Sequence, residues 1–253
     1  MDATAARPLD LVSKLYLRVE FKCVCCSRNH LYGVVIGTDD KSRTARKEKG
    51  MSDPREKSTE ESYYLYARQR VVVEDFSSEG HILDIGGGGE GIIGLLKGQD
   101  VVAIDINRRE LEEAAEGALK IVMDARDLQF LDESFNTATA FFSLMYLKGD
   151  SAHQEVFDEI FRVLRPGGRF LLWDTNVSER PDVQQPNYAV LLTVRVKDQE
   201  IETGYGQPWS AEIHDLSFYE ALARECGFQV EAHETEGHFF FLRLQKPDAQ
   251  RRG

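Results

Sequence analysis

His81-Ile82-Leu83-Asp84-Ile85-Gly86-Gly87-Gly88-Gly89-Glu90-Gly91, followed by Val101-Val102-Ala103-Ile104-Asp105, is the stretch on which the fold turns. An apolar run of strand length enters a glycine-rich turn. The turn opens onto a helix-like run, and a second apolar run ends in an acid. Glycine lets the backbone approach a ligand closely and take up positive φ. A helix start presents amide groups that have no partner within the helix. An acid at the tip of the second strand is placed to accept hydrogen bonds from ribose hydroxyls. Together these features predict a nucleotide site on a parallel α/β sheet. Gly86, Gly88 and Gly91 also satisfy G-x-G-x-x-G, so the loop alone is equally open to a dinucleotide.

Three further features separate the readings. Asp84 stands two residues before the first glycine, where a dehydrogenase usually carries an apolar residue. A third strand-like run, Leu119 to Met123, ends in Asp124-Ala125. Phe157 to Asp174 reads as a helix, a Pro166-Gly167-Gly168 turn and a strand. On these residues the chain resembles the class I S-adenosylmethionine (SAM)-dependent methyltransferases, in the broad group that includes the quinone-biosynthesis methyltransferases. The likeness spans roughly residues 62–246. It implies a Rossmann-like α/β fold: a seven-stranded sheet, mostly parallel, with a C-terminal antiparallel hairpin. It implies that Asp84, Gly86, Gly88 and Gly91 cradle the methionine part of SAM, with Asp84 ordering the loop and facing the ammonium. It places Asp105 at the ribose hydroxyls, Ile106 among the cofactor-binding residues, and Asp124 and Ala125 at the adenine edge. Phe141 and Ser143 would flank the cofactor and face the substrate. Glu90 departs from the pattern, because the last glycine of the family loop often falls there; Gly89 or Gly91 takes that role instead. The competing readings are a NAD(P)-dependent oxidoreductase and a SAM-binding module without catalysis.

The rest of the chain is consistent with that frame. Ser58-Thr59-Glu60-Glu61 resembles a helix start, and the helix is expected to run to about Phe76, carrying Tyr63, Tyr64 and Tyr66 as a lid or as packing. Strands are expected at 81–85, 101–105, 119–123, 137–142 and 169–174, and helices at 91–96, 108–116 and 152–164. Alternation of this kind means a parallel sheet covered on both faces. Residues 189–203 read as a β-hairpin, and Gly204–Trp209 as a loop suited to covering a substrate. A helix at Asp215–Cys226 ends at Gly227, and a terminal hairpin follows. The expected organisation is an N-terminal extension at 1–57, the methyltransferase domain at 58–247 and a tail at 248–253. Thr38 to Gly50 is polar and charged, and Met51-Ser52-Asp53-Pro54 reads as a start of translation, which makes 1–50 a dispensable extension.

Composition sets the outer limits. The 253 residues are 42% hydrophobic and 29% charged, ordinary for a globular chain with a full core. No apolar run approaches the ~20 residues of a membrane helix, and no signal peptide is evident, so a cytoplasmic location is expected. The net charge is −12. Residues 1–60 hold 12 Lys and Arg against 9 acids, so the remainder carries all of the negative excess. An acidic domain repels phosphate backbones, which argues against nucleic acid and for a small-molecule substrate. Cys23, Cys25, Cys26 and Cys226 lack the paired C-x₂-C spacing of a structural zinc site, so no metal is expected. Oligomeric state leaves no signature.

Methyl transfer from a sulfonium asks mainly for alignment and exclusion of water, because the methyl is already activated; orientation alone supplies up to ~7–11 kcal/mol. A base can assist with a phenol, amine or enol. The catalytic candidates are Tyr146, just past the fourth strand, and Asp174, at the tip of the fifth. His153 and His214 are weaker choices, each near a helix start.

Overall fold

The computed structural model describes residues 62–248 and, as backbone alone, the short strands β1 (Val19–Glu20) and β2 (Gly33–Val34), which pair antiparallel. The extension at 1–57, the start at Met51, Cys23-x-Cys25-Cys26 and most of the tail lie otherwise outside the described residues. The ordered elements are β3 (Tyr63–Val73), β4 (Ile82–Ile85), α1 (Ile92–Lys97), β5 (Val101–Asp105), α2 (Arg108–Glu113), β6 (Leu119–Val122) and β7 (Phe135–Phe141). They continue with α3 (Asp150–Val163), β8 (Leu164–Thr175), β9 (Asn187–Val196), β10 (Gln199–Pro208), α4 (Leu216–Glu225), β11 (Gln229–Glu236) and β12 (Phe239–Gln245).

The main sheet has seven strands in the order β11-β12-β8-β7-β4-β5-β6. β6, β5, β4, β7 and β8 run parallel; β12 pairs antiparallel with β8, and β11 pairs antiparallel with β12. This is the expected architecture. The chain leaves β4 toward β5 and β6 on one side and resumes with β7 and β8 on the other. Open α/β sheets bind ligands at such a reversal, beyond the carboxyl ends of the strands.

Both faces of this sheet are apolar, with the two-residue period of a strand. On one face Leu83, Ile85, Val102, Ile104, Ala138, Ala140, Phe170, Leu172, Phe240 and Leu242 pack beneath α3 and α4. Val156, Phe157, Ile160 and Val163 form the buried stripe of α3, and Tyr219, Leu222 and Ala223 that of α4. The opposite face presents Ile82, Val101, Ala103, Phe141, Leu171, Trp173 and Phe239. There α1 contributes Ile92, Ile93 and Leu96, and a second sheet supplies the rest of the cover.

That second sheet corrects the sequence-based expectation. Tyr63–Val73 is a strand, not the continuation of a helix from Ser58. β3 pairs in parallel with β9, and β9 pairs antiparallel with β10, in a three-stranded sheet ordered β10-β9-β3. Acids before Tyr63 favour a helix start locally. The outcome follows instead from Val71-Val72-Val73, stiff at χ1 and alternately buried and exposed, and from the partner backbone of β9. A bulge between Tyr66 and Gln69 sets two residues against Leu191, since Tyr66 faces Val190 and Gln69 faces Leu192. The inner face of this sheet, with Tyr66, Val71, Val73, Tyr188, Val190, Leu192, Val194 and Val196, is buried on the main sheet.

Two smaller differences follow the same pattern. Gly204–Trp209 is not a free loop, because β10 keeps its pairing with β9 through Pro208, opposite Asn187. The Pro166-Gly167-Gly168 turn lies within β8 as a bulge: Leu164 still pairs Phe135 and Arg169 pairs Thr137. Gly167 there adopts φ 76°, a backbone region that favours glycine.

Candidate functional site

The carboxyl ends of β4, β5 and β7, the start of α1 and the end of β10 enclose a cavity of about 420 Å³. That lies within the ~300–1,000 Å³ of small-molecule sites. The glycine loop forms its floor. Gly87 N–H donates to Ile104 O (3.0 Å) and Gly89 N–H to Glu110 O (2.8 Å), so the loop is tied to β5 and α2. At Gly86, φ is 68° and a Cβ would run into the Ser143 side chain. At Gly88 a Cβ would lie 2.5 Å from Glu110 Cβ and 2.8 Å from Asp105 Oδ2. Gly91 caps α1 in the left-handed conformation. The floor is therefore bare backbone by necessity, with room for a ligand where side chains would stand.

Two acids mark the sheet end of the cavity. Asp84 is buried and accepts a hydrogen bond from Thr139 Oγ1 at 2.7 Å. Burial holds its pKa up at about 7, with the Asp105 charge adding to the rise and the Thr139 bond opposing it. Asp105 accepts from Asn107 N–H at 2.7 Å, and Asn107 in turn caps α2 through Arg109 N–H. At the next strand tip Asp124 is ion-paired with Arg126 (2.6 Å), which holds its carboxyl below the usual carboxylate range. The Arg162 guanidinium donates to Leu128 O and Phe130 O and so fastens the segment after Asp124 to α3.

Beyond β7 the backbone makes a sharp turn. Phe142 takes φ 48°, uncommon for a side chain of its size, while its N–H donates to Trp173 O at 2.8 Å. Ser143 Oγ donates to Ile85 O at 2.7 Å and locks this turn to the tip of β4. The far wall is β10: Tyr205, Gly206, Gln207 and Pro208 all line the cavity. Tyr205 stacks on Phe142 with centroids 4.9 Å apart and planes 11° apart. Tyr205 also donates to Glu90 Oε2 (3.1 Å), and Thr203 Oγ1 donates to Glu90 Oε1 (2.7 Å). Glu90, the residue that departs from the glycine pattern, is thus the link between the loop and the second sheet.

A methyltransferase-domain family model matches residues 83–172. The chain is 31% identical over 169 residues to the ubiquinone/menaquinone biosynthesis C-methyltransferase UbiE of Desulfotalea psychrophila, covering 61% of this chain and 67% of that one. The chain belongs to the SAM-dependent methyltransferases. It is 27% identical over 184 residues to the methyltransferase phqN of Penicillium fellutanum, covering 68% of this chain and 52% of that one. It spans about half the length of the first curated relatives it matches. A SAM-dependent methyltransferase structure from Methanosarcina mazei superposes with a TM-score of 0.53 at 19% identity, covering 69% of this chain and 95% of that one; this likeness concerns the fold.

The cofactor of this methyltransferase family is SAM, and the residues present fit it: a glycine floor that a Cβ would fill, an acid at the second strand tip, and a cavity of suitable size. Asp84, Gly86, Gly88, Gly91, Asp105, Ile106, Asp124, Ala125, Phe141 and Ser143 all line the one cavity. Ile106 is 61% exposed, an apolar side chain turned outward beside Asp105. Tyr146 lines it too, with its hydroxyl buried and without a hydrogen-bond partner among the described residues. Burial, then the charges of Glu90 and Asp174, push that phenol well above its usual range.

Other expected contributors lie elsewhere. Asp174 is fully buried behind the wall, not on the cavity; its oxygens accept from Met145 N–H (3.0 Å) and Thr175 N–H (2.7 Å), and burial raises its pKa to about 7. It clamps the Leu144–Tyr146 turn to β8. His153 is buried, bonded through Nδ1 to Gly149 O (3.0 Å) and pushed down to about 4 by burial. His214 pairs with Asp150 at 2.9 Å. Neither histidine lines the cavity. Tyr63, Tyr64 and Tyr66 do not line it either; Tyr64 packs with Trp209, Tyr66 with Trp209 and Tyr188, and Tyr63 with Ala189 and Leu191 of the second sheet, rather than forming a lid. Of the segment read as a substrate cover, Tyr205, Gly206, Gln207 and Pro208 do line the cavity, as part of strand β10; the sequence reading missed Glu90 as a wall residue. Its signal was the departure itself, an acid in place of a glycine beside a ligand loop.

Proposed function

We propose that this chain binds SAM in the cavity and transfers its methyl group to a small-molecule acceptor in the cytoplasm. The observation that carries the reading is the convergence of the glycine floor, Asp105 and Asp124 on one cavity at the strand tips. SAM supplies an electrophilic methyl. Gly86, Gly88 and Gly91 would admit the methionine part, with Asp84 near its ammonium. Asp105 would accept from the ribose hydroxyls, Ile106 and Ala125 would flank the adenine, and Asp124 would take its amino edge. Phe141 and Ser143 would orient the transfer. Phe141, Phe142 and Tyr205 form an aromatic boundary that keeps water from the reacting centre. Tyr146 stands on the acceptor side. The negative balance of residues beyond 60 supports a small molecule over nucleic acid. Among the described residues no helix is long and apolar enough to cross a membrane.

Calorimetry with S-adenosylhomocysteine against NADH tests the reading. Binding of the first and none of the second is expected, and the reverse sinks it. Asp105→Ala is expected to weaken S-adenosylhomocysteine by about ten- to a hundred-fold with the melting temperature unchanged, since a carboxylate–hydroxyl pair is worth ~1.5–3 kcal/mol.

A further inference from the structure

The wall that meets the acceptor carries a charge that the cofactor end does not need. Among the described residues lining the cavity, Asp84, Glu90, Asp105, Glu110 and Asp124 are acids, and only Arg126 and Lys148 are cations. Arg126 is already ion-paired with Asp124. Asp84, Asp105 and Asp124 stand at the strand tips, where the reading above places the cofactor. Glu90 does not. Its carboxyl is drawn to the opposite wall by Thr203 and Tyr205, and these two bonds fix its position on β10. Beside it the buried Tyr146 hydroxyl has no hydrogen-bond partner among the described residues. A buried polar atom of that kind is stabilised when a ligand group meets it. The same wall is otherwise aromatic, with Phe141, Phe142 and Tyr205 within 6.3 Å of one another by centroid.

We infer that the acceptor is an amine and that Glu90 is the residue that holds it. The inference rests on the methyltransferase reading and deepens it. A fixed carboxylate in a partly desolvated wall attracts an ammonium or an N–H group and repels an acid. The chemistry uses the same charge. An acceptor held as the ammonium would first release one proton to solvent; the lone pair so freed would form the new N–C bond while the electron pair of the broken C–S bond stays on sulfur, and the positive charge would pass from sulfur to nitrogen. Glu90 lies where that charge arrives, and a carboxylate already in place there stabilises it without reorganising. The product ammonium later loses its extra proton to solvent. Tyr146 is a second polar contact for the same acceptor.

The test uses three probes of one shape: benzylamine, benzyl alcohol and benzoate, titrated into the full chain in the presence of saturating S-adenosylhomocysteine. Benzylamine is expected to bind at least tenfold more tightly than benzyl alcohol, and benzoate not at all. Glu90→Gln is expected to bring the amine and the alcohol within about twofold of each other. Failure of S-adenosylhomocysteine itself to bind would remove the methyltransferase reading. Normal binding of it with no preference for the amine in the wild-type chain would overturn the amine assignment alone. So would an amine preference that survives in Glu90→Gln, or a Glu90→Gln chain that has lost S-adenosylhomocysteine, since Glu90 would then belong to the cofactor.

Discussion

The seven-stranded and three-stranded sheets form opposite walls of one cavity, and they differ in how far their parts lie apart in the chain. The wall proposed for the cofactor comes from β4, β5, β6 and the loops between them, contiguous from Ile82 to Arg126. The wall proposed for the acceptor comes from β10, held by β9, which pairs with β3 so that Tyr63 meets Asn187. A site built from neighbouring units carries its geometry in local signals: apolar runs, glycines, an acid at a strand tip. A site built by distant pairing does not. The two walls touch through Glu90, which belongs to the first by sequence and to the second by its hydrogen bonds.

The comparison breaks most sharply at the cofactor wall. Gly88→Val places a branched side chain against Glu110 and Asp105. Loss of S-adenosylhomocysteine binding by at least about a hundredfold is expected, which is ~2.7 kcal/mol or more, and calorimetry checks it. Retained affinity would mean that the glycine floor is not where the ligand lies.

The second wall is probed through its core. Leu192 is fully buried between the two sheets. Leu192→Ala is expected to cost ~2–5 kcal/mol of stability in urea unfolding. If both sheets are one cooperative unit, the transition stays single and β4 amides lose exchange protection together with β9 amides. Two separated transitions would make the second sheet an independent appendage.

A smaller effect separates the walls by pH. The folded state raises the Asp84 pKa from 3.8 to about 7, so it binds that proton more tightly than the unfolded chain does. The contribution of Asp84 to stability therefore falls as pH climbs from about 4 to about 7, and it is level above that. Asp84→Asn removes the titration. The variant is expected to match the wild type near pH 4 and to exceed it at pH 8 by on the order of a few kcal/mol. A difference that does not vary with pH would place the Asp84 proton elsewhere.

Much of the site was legible because its residues sit where local rules put them. Asp105 ends an apolar strand, Asn107 follows it as a cap, and Gly86 and Gly88 occupy positions that no side chain fits. The tyrosines at 63, 64 and 66 misled for a physical reason. Their helix-like start at Ser58 is a local preference worth tenths of a kcal/mol per residue, whereas pairing with β9 and burial of Val71 and Val73 are decided by residues far along the chain. Gly204–Pro208 misled in the same way: glycine and tyrosine suit a loop, but the hairpin register through Gly206 opposite Ala189 holds the segment extended. Asp174 looked poised at a strand tip, yet its oxygens are taken by Met145 N–H of the turn that folds over it and by Thr175 N–H of its own strand.

By itself the sequence determined the succession of strands and helices along the chain, the glycine floor and the acids at the strand tips, because each depends on residues within one β–turn–α unit. Only the tertiary structure decided what stands across from them. Strand pairing is specified by backbone groups that every residue carries, so which strand meets β9, and that Glu90 is drawn to Thr203 and Tyr205, follows from which apolar faces can be buried together.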